Sequence, residues 1–176
     1  LTIRNTTLNE IMVLIQFFKD SKKAQKLLAD LKDKFPEISS IMYVINNKKN
    51  DTFYDLNVIC YSGKDYINEK IGDLNFKISA KSFFQTNSYQ TTKLYNIVKK
   101  FANLKGDELI YDLYSGTGTI SLFLSKYAKK VIGIETVNDA VISAKENAEY
   151  NKITNTTFIQ GDVKKILADG VKDHIN

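Results

Sequence analysis

The chain has 176 residues and a formal net charge of +5 at pH 7, and this length allows one ordinary domain or two small ones. Hydrophobic residues make up 43% and charged residues 26%, which excludes disordered and collagen-like classes. One cysteine and one histidine exclude an internal disulfide, an iron–sulfur cluster and a cysteine-based zinc site, so we predict no metal site. This composition fits a reducing, cytoplasmic compartment. No apolar run is long enough to cross a membrane, and the positive charge favours an anionic partner such as nucleic acid.

The first half of the sequence predicts strands around a single helix. Apolar runs or period-2 alternation predict strands at 10–18, 38–45, 54–60, 67–71 and 74–78. Apolar residues at helical spacing predict the helix over 22–35. In the strand 54–60, Cys60 falls on the apolar face, so we expect it in the core. The pair Gly72-Asp73 suits the turn of a β-hairpin. We therefore expect a small α+β domain over residues 1–78.

Beyond residue 78 the pattern changes to strands that alternate with helices. The predicted elements are strands at 108–114, 130–135 and 156–160, and helices at 87–104, 119–127, 139–151 and 163–168. Leu94, Ile97, Val98 and Phe101 predict an apolar face on the helix 87–104. Alternation of this kind predicts βαβ units and a parallel sheet. In the strand order 3-2-1 the carboxyl ends of the three strands lie side by side.

The turn after the first of these strands reads DLYSGTGT, from Asp112 to Thr119. Gly116 and Gly118 allow close approach of the backbone to a ligand, and the amides that open the next helix can receive an anion. A dinucleotide-binding motif would have a third glycine at position 121, where this chain has Ser121. The turn therefore indicates a nucleotide-type ligand but matches the pyrophosphate version imperfectly.

Acidic residues follow the next two strands at the same edge of the predicted sheet. Glu135 ends the second strand, where a carboxylate can accept hydrogen bonds from both hydroxyls of a ribose. Asp162 follows Gly161 at the end of the third strand. Each has another interpretation: Glu135 as a solvated strand end and Asp162 as the N-cap of the last helix. Together with the glycine turn, the three strand ends favour a ligand that contains a nucleoside.

Several motifs resemble one family of enzymes. They are FKISAKSFFQTN at 76–87, KLY at 93–95, DLYSGTGT at 112–119, GIE at 133–135 and AKENA at 144–148. In this spacing they are similar to the S-adenosylmethionine-dependent RNA uracil-5 methyltransferases, which form 5-methyluridine in transfer RNA or large-subunit ribosomal RNA. The resemblance implies an α/β fold: the first three parallel strands of a Rossmann-like methyltransferase sheet over residues 79–176, preceded by the small α+β domain.

The resemblance also implies a cofactor site. Gln85 would contact the methionine part of S-adenosylmethionine, Glu135 the ribose and Asp162 the adenine, and Tyr114 and Thr119 would line the site beside Gly116 and Gly118. Other interpretations are capping for Gln85 and core packing for Phe83 and Phe84, which we favour over base stacking. In this family a cysteine nucleophile and a glutamate base lie beyond a fourth strand, so we predict no catalytic residue in this chain.

We therefore interpret the chain, which does not begin with Met, as a fragment of such an RNA methyltransferase that is inactive alone. The alternatives are a nicotinamide-dependent oxidoreductase and a non-catalytic module that binds RNA or protein. The strand 108–114 would lack its fourth-strand neighbour unless residues 172–176 or the first half cover it. An unpaired edge beside apolar residues predicts self-association.

Overall fold

In the computed structural model, which describes residues 1–171, the chain divides into two compact units. One unit contains residues 1–69 and 77–81, and the other contains residues 70–76 and the chain from residue 82 onward. Whether the domain boundary lies at residue 78, as we expect from the sequence, stays a prediction. Residues 172–176, considered above as a cover for the sheet edge, lie outside the described residues. Among residues 1–171, no helix combines the length and apolar character that a bilayer crossing requires.

The first unit is a four-stranded sheet with one helix. Its elements are β1 (Thr2–Asn5), β2 (Ile11–Phe17), α1 (Lys22–Lys34), β3 (Ser40–Ile45) and β4 (Val58–Gly63), and the sheet order is β1-β2-β3-β4. Strands β2 and β3 are parallel and joined through α1, whereas β1 and β4 pair antiparallel at the two edges. Ser21 caps α1 by accepting a hydrogen bond from the amide of Ala24 at 3.1 Å. Ala24 and Leu28 bury the inner face of the helix.

Two features of this unit differ from the sequence predictions. The strand predicted at 54–60 is β4, which begins at Val58, and Cys60 is exposed rather than in the core. Residues 54–57 are not part of the strand, so the alternation from Tyr54 does not continue to Cys60, which lies at the edge of the sheet, and Tyr54 is 64% exposed. Edge strand β1 was not predicted, because only one of its four residues, Ile3, is apolar.

The predicted hairpin is confirmed as β5 (Tyr66–Ile71) and β6 (Leu74–Ser79), which form a separate two-stranded sheet. Its inward residues alternate along each strand, with Ile67 and Ile71 buried on β5 and Leu74, Phe76 and Ile78 on β6. Gly72 adopts a positive φ of 59° in the turn, which suits the two-residue connection.

The second unit contains the predicted parallel sheet. Its elements are α2 (Ser88–Ala102), β7 (Leu109–Leu113), α3 (Thr119–Ser125), β8 (Lys130–Glu135), α4 (Asn138–Tyr150), β9 (Thr156–Gln160) and α5 (Val163–Asp169). Strand β8 lies between β7 and β9, and both pairings are parallel. The predicted α/β class and strand order are therefore confirmed. The register of β8 and β9 brings Glu135 beside Gln160, at the carboxyl ends of both strands.

The two faces of this sheet have different partners. Phe158 of β9 belongs to a core with Leu122 of α3 and Ala144 of α4. The next residue, Ile159, belongs to a core with Ile132 and Ile134 of β8 and with α5. Successive strand residues point to opposite faces, so α3 and α4 cover one face and α5 the other.

The apolar face predicted for α2 is wrong for Leu94, Ile97 and Phe101, whereas Val98 is half-buried and packs against the core as predicted. Its buried residues are Ser88, Thr91 and Tyr95, whereas Leu94 and Ile97 are about half exposed and Phe101 is 82% exposed. The hydroxyls on the buried side are satisfied locally: Thr91 donates to the carbonyl of Asn87 at 2.8 Å. Polar groups with local partners thus occupy the inner face, and an apolar stripe stays on the surface.

Candidate functional site

The backbone of the turn after β7 adopts positive φ values, which most residues avoid. Gly116 and Gly118 have φ values of 55° and 76°, and Tyr114 has a φ of 64°, which is uncommon for a residue with a side chain. This conformation leaves the Tyr114 ring 69% exposed at the carboxyl end of β7. The amide of Gly118 donates to the carbonyl of Ser115 at 2.9 Å and closes the turn before α3.

Glu135 holds this turn in place. Its carboxylate accepts hydrogen bonds from the amide of Gly116 at 3.0 Å, the amide of Val137 at 2.9 Å and the hydroxyl of Thr136 at 3.0 Å. Burial alone would raise the pKa of Glu135, but these hydrogen bonds together outweigh it and hold the pKa below its ordinary value. A carboxylate offers about four lone-pair positions, so a ribose would find about one of them free rather than two.

Asp112 is a second acidic group at this end of the sheet. Its Oδ2 accepts a hydrogen bond from the hydroxyl of Ser121 at 2.5 Å. Burial, only partly offset by Ser121, holds the pKa of Asp112 above its ordinary value, and the charge of Glu135 acts in the same direction. Ser121 is fully buried at the position where a dinucleotide motif has its third glycine. Its hydroxyl therefore anchors the start of α3 to β7.

The segment from Phe83 to Gln85 joins the turn through its backbone. The hydroxyl of Thr117 donates to the carbonyl of Phe83 at 3.4 Å. Phe84 packs on Phe76 with ring centroids 5.8 Å apart, which confirms core packing for that residue. Core packing is wrong for Phe83, whose side chain is 75% exposed. Gln85 is exposed and caps no helix, because Asn87 is the N-cap of α2.

Asp162 lies at the end of β9, next to Glu135. The amide of Gly161 donates to the carbonyl of Glu135 at 2.9 Å, which brings the two strand ends together. One oxygen of Asp162 accepts from the amide of Lys165 at 2.9 Å, as the capping interpretation predicts. The other carboxylate oxygen has no hydrogen bond within residues 1–171, so capping leaves one oxygen for a ligand.

Hydrogen bonds therefore connect most of the predicted cofactor residues along one edge of the sheet. Gly116, Gly118, Glu135 and Asp162 are linked in this way directly or through a neighbouring residue, and Thr119 follows Gly118 at the start of α3. Phe83 is tied to the turn, and Gln85 follows two residues later. Within residues 1–171, no side-chain hydrogen bond or ring contact joins Gln85 or Tyr114 to another member of the set, so their roles stay predictions.

Two observations test whether an adenosyl cofactor fits this edge. A Cβ placed on Gly116 would meet no atom within 4 Å, so open space lies above the turn. The hydroxyl oxygen of Ser115 is buried and has no hydrogen-bond partner, which leaves a polar group available at the turn. Backbone amides, carboxylates and hydroxyls are the groups that a ribose and an amino-acid end require. The residues present fit the cofactor.

Sequence reasoning missed the residues that support the turn from beneath. Tyr95 of α2 is 3% exposed, and its hydroxyl lies 2.7 Å from that of Thr119. The KLY motif contained this residue, but nothing in its helical spacing separated it from ordinary core residues. Ser121 was noted only as a missing glycine, although a buried serine beside an acidic strand end could have suggested a hydrogen bond.

A groove of about 620 Å³ lies elsewhere in this unit, between α4 and β9. Its walls include Lys145, Glu149 and Lys152 and none of the predicted cofactor residues. Within the described part of the chain, no group of three or more His, Cys, Asp or Glu side chains is arranged to hold a metal ion.

Comparisons with known proteins find similarity to RNA methyltransferases. The chain is 50% identical over 176 residues to an uncharacterised RNA methyltransferase of Porphyromonas gingivalis, covering 99% of this chain and 38% of the relative. It is 48% identical over 171 residues to another from Bacteroides thetaiotaomicron, covering 95% of this chain and 38% of the relative. The chain thus spans about two fifths of the length of these relatives.

A solved structure has a similar fold. It is the tRNA (uracil-54, C5)-methyltransferase of Pyrococcus abyssi in complex with S-adenosyl-L-homocysteine, with a TM-score of 0.74 and 29% identity. The match covers 91% of this chain and 38% of that one. The family model for tRNA (uracil-5-)-methyltransferases matches residues 4–168, which is nearly the whole sequence. The chain therefore belongs to the tRNA (uracil-5-)-methyltransferase family.

Proposed function

We propose that this chain is part of an enzyme that transfers a methyl group from S-adenosylmethionine to carbon 5 of a uridine in tRNA or rRNA. The observation that carries the proposal is the hydrogen-bonded turn from Ser115 to Thr119, with Glu135 on its amide and open space above Gly116. The chain supplies the cofactor-binding groups. When bound, the cofactor would supply an activated methyl group on its sulfonium.

The charges of the site favour this cofactor over a nicotinamide dinucleotide. Asp112, Glu135 and Asp162 are acidic, and the predicted cofactor residues include no basic side chain. Acidic groups attract the sulfonium and ammonium charges of S-adenosylmethionine and repel the pyrophosphate of a dinucleotide. Ser121 in place of the third glycine argues in the same direction, because that glycine provides close helix–strand packing in dinucleotide sites.

Three side chains would each contact a different part of the cofactor. Glu135 would accept a hydrogen bond from a ribose hydroxyl, and the free oxygen of Asp162 would face the adenine. Gln85 would contact the methionine part, since its exposed amide has no hydrogen bond within residues 1–171. These roles come from the family resemblance, and the order of β7, β8 and β9 is consistent with them.

We also propose RNA as the partner. Phe83 supports this role, because it is 75% exposed and its carbonyl accepts a hydrogen bond from Thr117 in the turn after β7. An exposed aromatic ring can stack on a base that has left its helix. The formal charge of +5 adds an attraction for the phosphate backbone. A cytoplasmic location, where RNA and the cofactor are both present, belongs to the same proposal.

Self-association through β7 is a further part of the proposal. Within residues 1–171, β7 pairs only with β8, so its other edge has unpaired backbone groups. Leu109, Tyr111 and Leu113 are 49%, 43% and 41% exposed. Their pairing with β8 places them on the same face of the sheet as α5. On that face α5 packs against β8 and β9. A second copy that pairs along this edge would bury these side chains.

The cofactor assignment is tested with an alanine variant at each of two turn glycines. Gly116 and Gly106 both have positive φ values and open space where a Cβ would lie, but only Gly116 borders the proposed site. We expect S-adenosyl-L-homocysteine, but not NAD, to raise the melting temperature of the wild-type chain and of Gly106→Ala. Gly116→Ala should bind at least tenfold more weakly, because its methyl group occupies the space above the turn.

Other outcomes would contradict the assignment. Equal binding by Gly116→Ala and wild type would show that the ligand does not approach this turn. A response to NAD alone would favour the oxidoreductase alternative, and RNA binding without any cofactor response would favour a non-catalytic module.

A further inference from the structure

We propose that Tyr95 is a positioning residue that holds the hydroxyl of Thr119 in place for the methionine part of S-adenosylmethionine. This inference rests on the proposed function and concerns the same site. Tyr95 lies on α2, a helix to which the sequence assigned no role in the site. It does not need to contact the cofactor, because it would act through Thr119.

The contact between the two side chains is short and enclosed. Tyr95 Oη lies 2.7 Å from Thr119 Oγ1, a usual length for a hydrogen bond between hydroxyls. Tyr95 is 3% exposed, so water competes poorly for this hydroxyl. Neither side chain has another side-chain hydrogen bond within residues 1–171. The pair therefore fixes the orientation of the Thr119 hydroxyl.

The surrounding contacts make Tyr95 rigid. Its ring meets Phe123 of α3 edge to face, with centroids 5.4 Å apart. Burial raises the pKa of Tyr95, and the charge of Asp112 adds to this effect, so the phenol keeps its proton. A protonated phenol is able to donate to Thr119 Oγ1. The proton of Thr119 is then free to point to another acceptor.

The order of the strands indicates which part of the cofactor Thr119 would meet. Glu135 ends the central strand β8 and Asp162 follows β9, so the nucleoside would lie over these two strands. Thr119 follows β7, on the opposite side of β8 from Asp162. The amino-acid end of the cofactor would therefore extend to Thr119, together with Gln85.

This placement makes the effect of Tyr95 specific to one part of the ligand. S-adenosyl-L-homocysteine and 5′-methylthioadenosine share the nucleoside and a sulfur atom, but only the first has an amino-acid end. A general loosening of the site would weaken both ligands. Loss of the Thr119 orientation would weaken S-adenosyl-L-homocysteine alone.

The experiment measures the Kd of both ligands by calorimetry for the wild-type chain, Tyr95→Phe, Thr119→Val and the double variant. Tyr95→Phe keeps the ring contact with Phe123 and removes only the hydroxyl. We expect it to weaken S-adenosyl-L-homocysteine about 5- to 10-fold, the effect of one hydrogen bond, and 5′-methylthioadenosine less than about 2-fold. Thr119→Val should show the same selectivity, and the double variant should lose no more than Thr119→Val.

A matched control comes from the same cluster. Tyr127 is half buried, and its ring lies 6.3 Å from that of Phe123, but no hydrogen bond connects it to the turn. Tyr127→Phe should leave both Kd values unchanged. Comparison of Thr119→Val with Thr119→Ser, which keeps the hydroxyl, tests the inference even if Tyr95→Phe fails to fold: the valine variant should weaken S-adenosyl-L-homocysteine selectively, and the serine variant should weaken it less.

Three results would overturn the inference. Equal weakening of both ligands by Tyr95→Phe would show a general structural effect, and unchanged binding would show that Thr119 does not need Tyr95. Additive losses in the double variant would show that the two hydroxyls act independently. If the wild-type chain binds neither ligand, the proposed function itself fails, and this result is distinct from the other three.

Discussion

Replacing Glu135 should destabilise the second unit before any ligand is added. In Glu135→Ala the amides of Gly116 and Val137 and the hydroxyl of Thr136 all lose the acceptor that lies 2.9 to 3.0 Å away. A buried donor left without a partner costs about 1–3 kcal/mol, but water can reach part of the emptied space. We therefore expect the free energy of unfolding to fall by about 2–4 kcal/mol at pH 7. Urea denaturation followed by circular dichroism measures this loss.

The pH dependence provides a second measurement of the same contacts. The pKa of Glu135 lies below its ordinary value in the folded chain. Glu135 therefore adds to the free energy of unfolding when the pH is above that ordinary pKa, and this contribution is lost as the pH falls through the pKa of the folded chain. The difference between wild type and Glu135→Ala should therefore shrink as the pH falls below about 4. Glu108 is a matched control, because it also accepts hydrogen bonds from two backbone amides but is only half-buried and precedes β7, at the opposite end of that strand from the site. Glu108→Ala should bind cofactor like the wild type.

A small stability loss would refute this reasoning. If Glu135→Ala unfolds within about 0.5 kcal/mol of the wild type, the usual range for surface substitutions, the three contacts do not hold the turn. If stability falls as expected but cofactor binding is unchanged, neither a ribose contact by the carboxylate nor the ordering of the turn by Glu135 contributes to binding.

Three further predictions concern Asp112, β7 and Cys60. Because burial raises the pKa of Asp112, its contribution to the free energy of unfolding decreases as the pH rises through the pKa of the folded chain. Asp112→Asn should remove this pH dependence, as measured by urea denaturation at several pH values. Sedimentation should show association that increases with concentration and decreases in Tyr111→Lys; a strictly monomeric wild type would contradict the exposed-edge proposal. Burial and the charge of Asp65 raise the pKa of Cys60, which disfavours the reactive thiolate. We therefore expect the chain to transfer no methyl group to RNA. Cys60→Ala should give the same result in this assay. RNA labelling that disappears in Cys60→Ala would place the chemistry elsewhere than we propose.

Sequence predictions were most accurate where the hydrophobic pattern of a strand and the polar residues that flank it indicate the same boundaries. Strands β8 and β9 begin and end at the predicted residues, because each is a buried strand of a parallel sheet bounded by polar groups. The glycine turn and the two acidic strand ends could be placed at one edge of the sheet from topology alone. For Glu135, however, spacing could not reveal that three protein groups already occupy its carboxylate.

The failures have a common physical cause. Apolar residues were expected inside, but about half of a protein surface is apolar, and exposure depends on what the fold brings against each residue. On α2 the buried side holds Thr91 and Tyr95, whose hydroxyls find partners, while Phe101 stays outside. Cys60 lies on β4, at the edge of the sheet, and is exposed rather than in the expected core. Such differences depend on tertiary contacts, which periodicity does not record.

The turn after β7 is organised by the protein's own hydrogen bonds, and this has a consequence for binding. Gly116 is held by Glu135, Thr119 by Tyr95, and Ser121 by Asp112, so three separate elements fix a turn of only a few residues. A turn that is ordered in advance loses little conformational entropy when a ligand arrives. Such a site can bind through few direct contacts. Variants that release these supports should therefore weaken binding even when every group that touches the ligand remains in the chain.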